Sequence, residues 1–489
     1  MDIELSTFKM FLSKTGRALL MFGGIVFFSR HLGQTQLGIF FLFFAMQGLL
    51  SIPADFGLRN ALEKRLSEGE DAVETLSSAL VIKLVLLTLV SLVILSFQTQ
   101  VNEYLGEDLA VLLVVAVILR ELSLFYIHAV RGRLQVGRTA SIEFGRRLTW
   151  VGLGAFLITQ GFGTKGVVYG LLAGSSVAFV WAFLACDVGI GRPTVTQMQS
   201  LFNFSKYDAI NSVGGSLYQW MDTALIGFFL AQSFVGAYEV AWQVTLLVLM
   251  VSNSISLTLF PQISQWNATS SAKQIESTIS TALGFAVFFS IPAVVGSVIY
   301  GTDVLRLLFG PEYVIASLVL IVLMVEKVFQ SFNDIVGVSV RAINKPNLAA
   351  KSTVAAVGVN LLLSPILIIN VGFVGAAIAT TLAWMVNVVL HTHYLSRYID
   401  FSIPYRLIGW FALSSIAMGV VVYGVKTVLP VDTILMLILH VAIGGFLYLA
   451  FSVAIPKVRR RILIPTVRVL ASRYVSDDWR SWRGQTSDK

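Results

Sequence analysis

The chain has 489 residues, of which 56% are hydrophobic and only 13% are charged, and its mean hydropathy is +0.80. Because soluble domains carry about 25% charged residues, this composition excludes a soluble globular protein and indicates a protein that crosses a membrane many times. One cysteine excludes a disulfide framework and a Cys-based metal site, and the five histidines show no ligand spacing. We therefore predict no bound metal.

Apolar segments bounded by polar, glycine or proline residues predict an all-α polytopic membrane protein with about fourteen transmembrane helices. In chain order, the helices are placed near residues 10–30, 36–57, 76–97, 109–130, 141–161, 165–187, 204–230, 234–260, 277–300, 313–341, 348–370, 372–395, 406–429 and 433–455.

The basic residues predict the orientation of these helices. With both termini in the cytoplasm, 28 of the 35 Lys and Arg residues fall on the inner side, as the positive-inside rule requires. The net charge of +8 therefore reflects membrane topology rather than nucleic-acid binding. The basic tail at 457–489 is expected to lie on the inner leaflet, either as a topology anchor or as a site for anionic lipids.

The sequence contains an internal repeat. LGQTQLG (32–38) recurs as LAQSFVG (230–236), and other pairs follow in the same order at the same steps of a six-helix cycle. Since six is an even number, both units enter the membrane from the same side, which predicts two parallel six-helix lobes around a central cavity. The predicted divisions are 1–200 for the N-lobe, 201–400 for the C-lobe, 401–456 for two further helices and 457–489 for the tail.

Glycines mark equivalent places in the two lobes. Gly33, Gly38 and Gly236 lie at the predicted outer turns and are expected to serve tight turns and close helix packing. One glycine pair interrupts the first predicted helix of each lobe. The pairs are interpreted either as packing contacts or as hinges for alternating access. These pairs are Gly23 with Gly24 and Gly214 with Gly215.

Four segments resemble the polysaccharide-export flippases of the multidrug/oligosaccharidyl-lipid/polysaccharide exporter superfamily. They are LGQTQLGIFFLFF (32–44), VGAYEVAWQVTLLV with FPQIS (235–264), LFGPEYVIAS (308–317) and VNLLLSPILIINVGFVGAAIATTLAW (359–384). The resemblance covers nearly the whole chain, and these motifs identify the superfamily better than the substrate.

The resemblance implies a carrier in the cell membrane, and not an enzyme. Such carriers move a polyprenyl- or dolichyl-phosphate-linked oligosaccharide from the cytoplasmic to the outer leaflet by alternating access. They serve bacterial surface glycans or archaeal protein glycosylation. The implied partners are the lipid-linked oligosaccharide, membrane lipids, and glycosyltransferases or an oligosaccharyltransferase of the same pathway.

Basic residues inside or at the ends of the spans are candidates for binding the substrate phosphate. A charge in the bilayer is costly, so it faces a cavity or an opposite charge. The alternatives are structural ion pairs between helices and snorkelling of Lys and Arg to the inner interface. Neighbours in sequence point about 100° apart, so Glu326 and Lys327 are not expected to pair with each other. The candidates are Lys14, Arg17, Lys83, Arg120, Lys206 and Lys327.

The resemblance also implies an ion-coupling site. Related lipid II flippases hold sodium with an acid on the seventh helix, Asn and Asp one turn apart on the eleventh, and Thr on the twelfth. This chain offers Asp222, Asn360 and Thr380, with Ser364 in place of the second acid, which weakens the case for a hard cation. The coupling ion stays open between sodium and a proton, and Asp208 and Glu239 are alternative proton carriers.

Aromatic and amide side chains on the seventh and eighth helices are candidates for contacting the glycan, because sugars stack on rings and hydrogen-bond to amides. An aromatic belt at the outer interface is the alternative interpretation. The candidates are Tyr218, Gln219, Trp220, Trp242 and Gln243.

Two other functions are weighed against the flippase. A cation-coupled multidrug exporter of the same superfamily usually carries an acid in its first helix, whereas residues 10–30 contain none. A membrane subunit of a glycan-assembly complex without transport activity is the third. A phosphate-binding glycine loop with lysine is absent from the sequence, which disfavours direct ATP coupling.

Overall fold

A computed structural model describes residues 3–69 and 71–454, and over these residues the protein is helical and contains no strand. The side chains at 3–15, 17, 18, 136, 207–213 and 216 lie outside the description. The predicted all-α class is confirmed. The predicted basic tail at 457–489 lies outside the described residues.

The first half of the chain forms seven helices, which we call the N-lobe. They are α1 (Ile3–Asp55), α2 (Leu58–Ser67), α3 (Ala72–Ser96), α4 (Gln98–Leu105), α5 (Ala110–Gly132), α6 (Val136–Thr159) and α7 (Gly163–Ala185).

The second half forms eight helices, which we call the C-lobe, and two further helices follow. The C-lobe contains α8 (Val195–Phe229), α9 (Gln232–Leu246), α10 (Met250–Ala268), α11 (Ala272–Ala286), α12 (Ser290–Val304), α13 (Ser317–Ala342), α14 (Pro346–Val371) and α15 (Phe373–Ser396). The last two helices are α16 (Tyr405–Val428) and α17 (Ile434–Val453). The predicted domain limit at 200 falls inside α8, and the domain limits stay predictions.

Eleven helical segments of the described chain are long and apolar enough to cross a membrane. One of them, Leu19–Asp55, overlaps both of the first two predicted spans. The predicted spans at 141–161 and 204–230 coincide with α6 and α8, which are not among the eleven segments. Both helices carry polar and charged side chains. The protein is therefore a multi-pass membrane protein, while the count of fourteen and the cytoplasmic termini stay predictions.

Gly33 breaks the first long helix. Its backbone angles are φ 73° and ψ 174°, in a region that favours glycine, and they separate α1 into two helical arms. The 37 residues of Leu19–Asp55 span about 55 Å as one helix, far more than a hydrocarbon core of about 30 Å, so a break is required. The expected tight turn at Gly33 is thus present.

The two predicted hinge pairs lie in continuous helix. A Cβ atom on Gly24 would lie 2.9 Å from Val151 of α6, and one on Gly214 would lie 3.3 Å from Thr353 of α14. Gly23 and Gly215 have no such neighbour within 4 Å. One member of each pair therefore serves close packing, and flexing at these glycines during transport stays a prediction.

The two copies of the repeated motif pack against each other. A Cβ atom on Gly38 would lie 1.8 Å from the backbone oxygen of Gln232, and one on Gly236 would lie 2.2 Å from that of Gln34. The contact is reciprocal, as expected where two repeats meet at a symmetry axis. It confirms close helix packing at Gly38 and Gly236.

Polar contacts reinforce this contact between the lobes. The Arg30 Nε atom donates to the Leu308 carbonyl at 2.8 Å, and the Gln34 amide donates to the Glu312 carbonyl. The ends of the lobes near the Gly33 break are therefore closed against each other.

Candidate functional site

A cavity of about 360 Å³ lies between the lobes. Its wall comes from α1, α6 and α7 of the N-lobe and from α8, α9 and α10 of the C-lobe. The lining residues are Met21, Phe22, Phe44, Arg146, Arg147, Trp150, Leu171, Gln219, Trp220, Gln243, Leu246, Leu247 and Met250. The cavity is apolar with a few convergent polar groups, which is the composition of a ligand site.

Two arginines and a tryptophan of α6 form the basic wall of the cavity. The Arg146 Nε and Trp150 Nε1 atoms are buried, and neither has a hydrogen-bond partner among the described residues. Such donors normally find an acceptor, so this wall fits an anionic or oxygen-rich ligand.

These residues were not predicted as a site from the sequence. The predicted span at 141–161 has Arg146 and Arg147 near its start, whereas α6 begins at Val136 and puts Arg146 about three turns inside the helix. Two adjacent arginines at that depth are costly unless they face a cavity, and this signal was present in the sequence.

Three of the five predicted glycan contacts line the cavity opposite the arginines. They are Gln219, Trp220 and Gln243. The Trp220 ring meets the Phe44 ring edge-on, with centroids 5.1 Å apart. Phe44 lies eleven residues, or about 16 Å, from the Gly33 break, so this group lies well inside the bundle. The interface-belt interpretation therefore does not describe these three residues.

The other two predicted glycan contacts lie elsewhere. Tyr218 packs against Trp384 of α15, with ring centroids 5.0 Å apart. Trp242 lies under the Lys327 Nζ atom, which is 3.7 Å from its ring centroid. Neither residue lines the cavity, because on a helix neighbouring positions face different directions.

Lys83 is neutralised inside the N-lobe, contrary to the expectation of a phosphate contact. Its side chain is fully buried, and its Nζ atom lies 2.6 Å from Asp55 and 3.0 Å from Glu121. Arg59 also contacts Asp55, at 3.0 Å. Two carboxylates hold this ammonium group, so the structural ion-pair alternative describes Lys83.

Lys327 is neutralised in a similar way in the C-lobe. It forms a buried ion pair of 2.7 Å with Glu326, its neighbour in sequence. The expectation that these two residues do not pair is therefore wrong, since the flexible lysine stem folds back toward the adjacent carboxylate. The ammonium group also donates to Gln330 at 3.0 Å and faces Trp242, so it is not presented to the cavity.

The remaining phosphate-binding candidates have different outcomes. The side chains of Lys14 and Arg17 lie outside the described residues, as does that of the alternative proton carrier Asp208. Lys206 is half-buried and donates to Asn203 at 3.1 Å. Arg120 does not line the cavity. Its Nη1 atom is buried without a hydrogen-bond partner among the described residues, and Glu121, Arg59 and Arg146 lie within electrostatic range of it.

The predicted ion-coupling residues come together in the C-lobe, although α8, α14 and α15 contribute them separately. The Thr380 hydroxyl donates to Asp222, and the Asn360 amide donates to Asp222 at 3.4 Å and to Thr380 at 3.1 Å. Ser364 donates to Asn360, and Tyr238 donates to Asp222 at 2.7 Å. We call these five residues the Asp222 cluster. Tyr238 is a member that sequence reasoning missed.

The chemistry of the Asp222 cluster fits sodium poorly. Both carboxylate oxygens of Asp222 already accept hydrogen bonds, and the Asn360 amide presents its donor side to them. Hard cations prefer several oxygen ligands with carboxylates among them, whereas this cluster has one acid. The second proton-carrier candidate, Glu239, is buried nearby and accepts a hydrogen bond from Thr223.

Comparisons with known proteins agree with this architecture. Residues 27–318 match the family described as polysaccharide biosynthesis protein. The chain belongs to this family. It is 42% identical over 470 residues to the "Probable low-salt glycan biosynthesis flippase Agl15" of Haloferax volcanii, an alignment that covers 96% of this chain and 100% of the relative. It is 29% identical over 441 residues to the "Probable flippase AglR" of the same organism, covering 87% and 91% of the two chains.

Solved structures share the fold. The lipid II flippase MurJ in an inward closed conformation superposes with a TM-score of 0.80 at 18% identity, covering 92% of this chain and 99% of that one. An inward-facing multidrug resistance MATE family transporter superposes with a TM-score of 0.64 at 16% identity, covering 78% and 94%. This polysaccharide biosynthesis family member is thus a flippase, a transporter rather than an enzyme, and it has the fold of MurJ.

Proposed function

We propose that this flippase moves a polyprenyl- or dolichyl-phosphate-linked oligosaccharide from the cytoplasmic to the outer leaflet by alternating access, for protein glycosylation or a surface glycan. The observation that carries the proposal is the cavity between the lobes, with arginines on one wall and amides and an indole on the other. Arginine binds phosphate oxygens in a bidentate manner, and the opposite wall suits a sugar.

The closed end of the lobes supports the proposed direction. The Gly38–Gly236 contact and the Arg30 and Gln34 hydrogen bonds seal the side that the charge distribution predicts to be external. In this state the cavity accepts substrate from the inner leaflet, and separation of that contact would release it on the outer side.

A deletion strain tests the proposal. Loss of the protein should lower glycan on the outer face while the glycan-charged lipid accumulates on the cytoplasmic side. Normal surface glycan together with a new drug sensitivity would favour the multidrug exporter instead. The deletion strain is also complemented with a variant that inserts stably but does not transport. If this variant restores normal glycan, the non-transport subunit of an assembly complex is favoured.

Replacement of Arg146 by glutamine tests the phosphate role. We expect at least a tenfold loss of transport in reconstituted vesicles, because a charge-assisted hydrogen bond to phosphate contributes about 1.5–3 kcal/mol and each 1.4 kcal/mol is about tenfold. The matched control is Arg133→Gln, since Arg133 is exposed and pairs only loosely with Asp187 at 3.6 Å. Equal transport by the two variants would contradict the assignment of Arg146.

We further propose that a proton drives the cycle and that Asp222 carries it. The supporting observations are the single acid in the Asp222 cluster, the hydroxyl and amide donors already aimed at it, and Lys327 within electrostatic range, which disfavours a second cation. A carboxylic acid that exchanges one proton needs none of the extra oxygen ligands that sodium requires.

Asp222→Asn, an isosteric change, is expected to abolish transport driven by an imposed pH gradient, since the amide cannot carry the proton. Substrate binding should persist, because the arginines of α6 are unchanged. Glu239→Gln is the matched control, being a buried acid of the same lobe. If Glu239→Gln loses gradient-driven transport while Asp222→Asn keeps it, or if only a sodium gradient drives transport, the proposal is wrong.

A further inference from the structure

A line of polar side chains runs along one face of α15 in the C-lobe. Thr380, Trp384, Asn387 and His391 are spaced by four, three and four residues, so they share a face of the helix over about 16 Å. Thr380 belongs to the Asp222 cluster, and Asn387 and His391 are only 2% and 3% exposed. The line therefore begins at the proposed proton carrier and stays inside the lobe.

Side chains of α8 and α13 face this line. Tyr218, one turn before Asp222, packs against Trp384. Asn333 and His391 meet at Gly337, where an added Cβ would lie 3.6 Å from both side chains. His391 also contacts the Asn387 carbonyl, at 3.1 Å. We call these polar groups on the facing sides of α8, α13 and α15 the C-lobe polar column.

Several buried atoms of this column lack partners among the described residues. They are Tyr218 Oη, Trp384 Nε1, Asn387 Oδ1 and Asn333 Oδ1. Buried polar atoms in proteins are hydrogen-bonded to protein or to ordered water. Four unpartnered atoms along one column are the kind of polar groups that a buried water bonds.

The repeat supplies an internal comparison. Gly166 of α7 and Gly375 of α15 occupy equivalent places, because an added Cβ would meet Leu157 and Ile158 of α6 in one case and Leu367 and Ile368 of α14 in the other. The positions equivalent to Thr380, Trp384, Asn387 and His391 are then Leu171, Ser175, Ala178 and Ala182. All four are buried, so the same helix of the N-lobe packs with small or apolar side chains.

The column ends near basic residues. Arg341, exposed near the end of α13, lies within electrostatic range of His391, and Arg397 follows α15. The charge distribution predicts this end to be cytoplasmic. The other titratable groups on α13, which faces α15, are Glu326, Lys327 and Asp334. The Ser252 hydroxyl donates to Asp334 at 2.7 Å.

We propose that the C-lobe polar column is a hydrated path through which protons reach Asp222 from the cytoplasmic side, separate from the substrate cavity. In a water chain along Asn387 and Trp384, each water accepts a proton on one side and releases one on the other, and the last water gives its proton to the Asp222 carboxylate. The role of this path in proton transfer rests on the proposed function of Asp222 as the proton carrier. Its hydration is tested without any transport measurement.

Cysteine accessibility tests the hydration of the path. Cys186, the one native cysteine, is first replaced by alanine. Asn387→Cys is then compared with Ala178→Cys, and His391→Cys with Ala182→Cys, since each pair joins equivalent buried positions of the two lobes. The probe is the silver ion, which reacts with thiols and is narrow enough to follow water. Thiols that remain are counted with a fluorescent maleimide after denaturation.

We expect Asn387→Cys and His391→Cys to react at least tenfold faster than their N-lobe counterparts. Equally slow reaction at all four positions would overturn the hydrated path. Equally fast reaction at all four would show that hydration is not specific to the C-lobe, and this result would overturn the proposal as well. If one C-lobe variant fails to fold, the other pair decides. Because no substrate is present, failure here is distinguishable from failure of the flippase assignment.

Discussion

Replacement of Lys83 by methionine is expected to destabilise this flippase by about 3–5 kcal/mol, because it leaves two buried carboxylates without their common partner. Lys83 and Glu121 are fully buried, and Asp55 is nearly so. Methionine keeps the length and the apolar stem of the side chain, so the loss of the charge dominates. The measurement is the midpoint of unfolding in detergent, followed by tryptophan fluorescence.

Two further variants make this experiment decisive. Lys165→Met removes a half-exposed pair with Glu107, at 3.7 Å, and should cost no more than about 1 kcal/mol. The triple variant Lys83→Met, Asp55→Asn, Glu121→Gln should recover much of the stability, since no buried carboxylate is left without a partner and Arg59, which loses Asp55, is partly exposed. The triple variant should also retain transport. If it folds but fails to transport, Lys83 has a role in substrate handling that its ion pairs do not explain.

Replacement of Gly38 by alanine is expected to force the closed ends of the lobes apart. The new Cβ would lie 1.8 Å from a backbone oxygen of α9, which cannot rotate away as a side chain would. The helices must separate, and we expect transport to fall at least tenfold because the cycle cannot return to the closed state. Spin labels at Gln100 and Asp432, both exposed, should show a longer distance than in the parent protein.

Gly16→Ala is the matched control for this change, because Gly16 is not one of the predicted hinges. It lies in the same helix, and an added Cβ would meet no neighbour within 4 Å. Gly236→Ala should reproduce the effect of Gly38→Ala, because the contact is reciprocal. An unchanged label distance in Gly38→Ala would show that the lobes are not held by this contact.

The two lobes have diverged in the charges that they enclose. The N-lobe presents Arg146 and Arg147 to the cavity, whereas the C-lobe encloses Asp222 and the polar column. A duplicated unit supplies two equal halves, and the proposed mechanism assigns anion binding to one half and proton handling to the other. This separation is consistent with an anionic substrate driven by a proton, because the phosphate and the proton then bind at different sites.

Several features were determined by the sequence alone. The all-α membrane class followed from the hydropathy of the segments, and the superfamily followed from motifs such as LGQTQLGIFFLFF. Close packing at Gly38 and Gly236 also followed from their recurrence in the two copies. These features can be predicted from the sequence because they depend on local composition and on the internal repeat, and both are visible in the order of the residues.

Other features were decided only by the tertiary structure. Lys83, Lys327 and Arg146 are all basic residues within helices, yet two are neutralised and one lines the cavity. The sequence cannot separate them, because the neutralising partners of Lys83 come from other helices and that of Lys327 depends on how its side chain folds. The face that each helix turns toward its neighbours decides which charge is held in an ion pair and which lines the cavity.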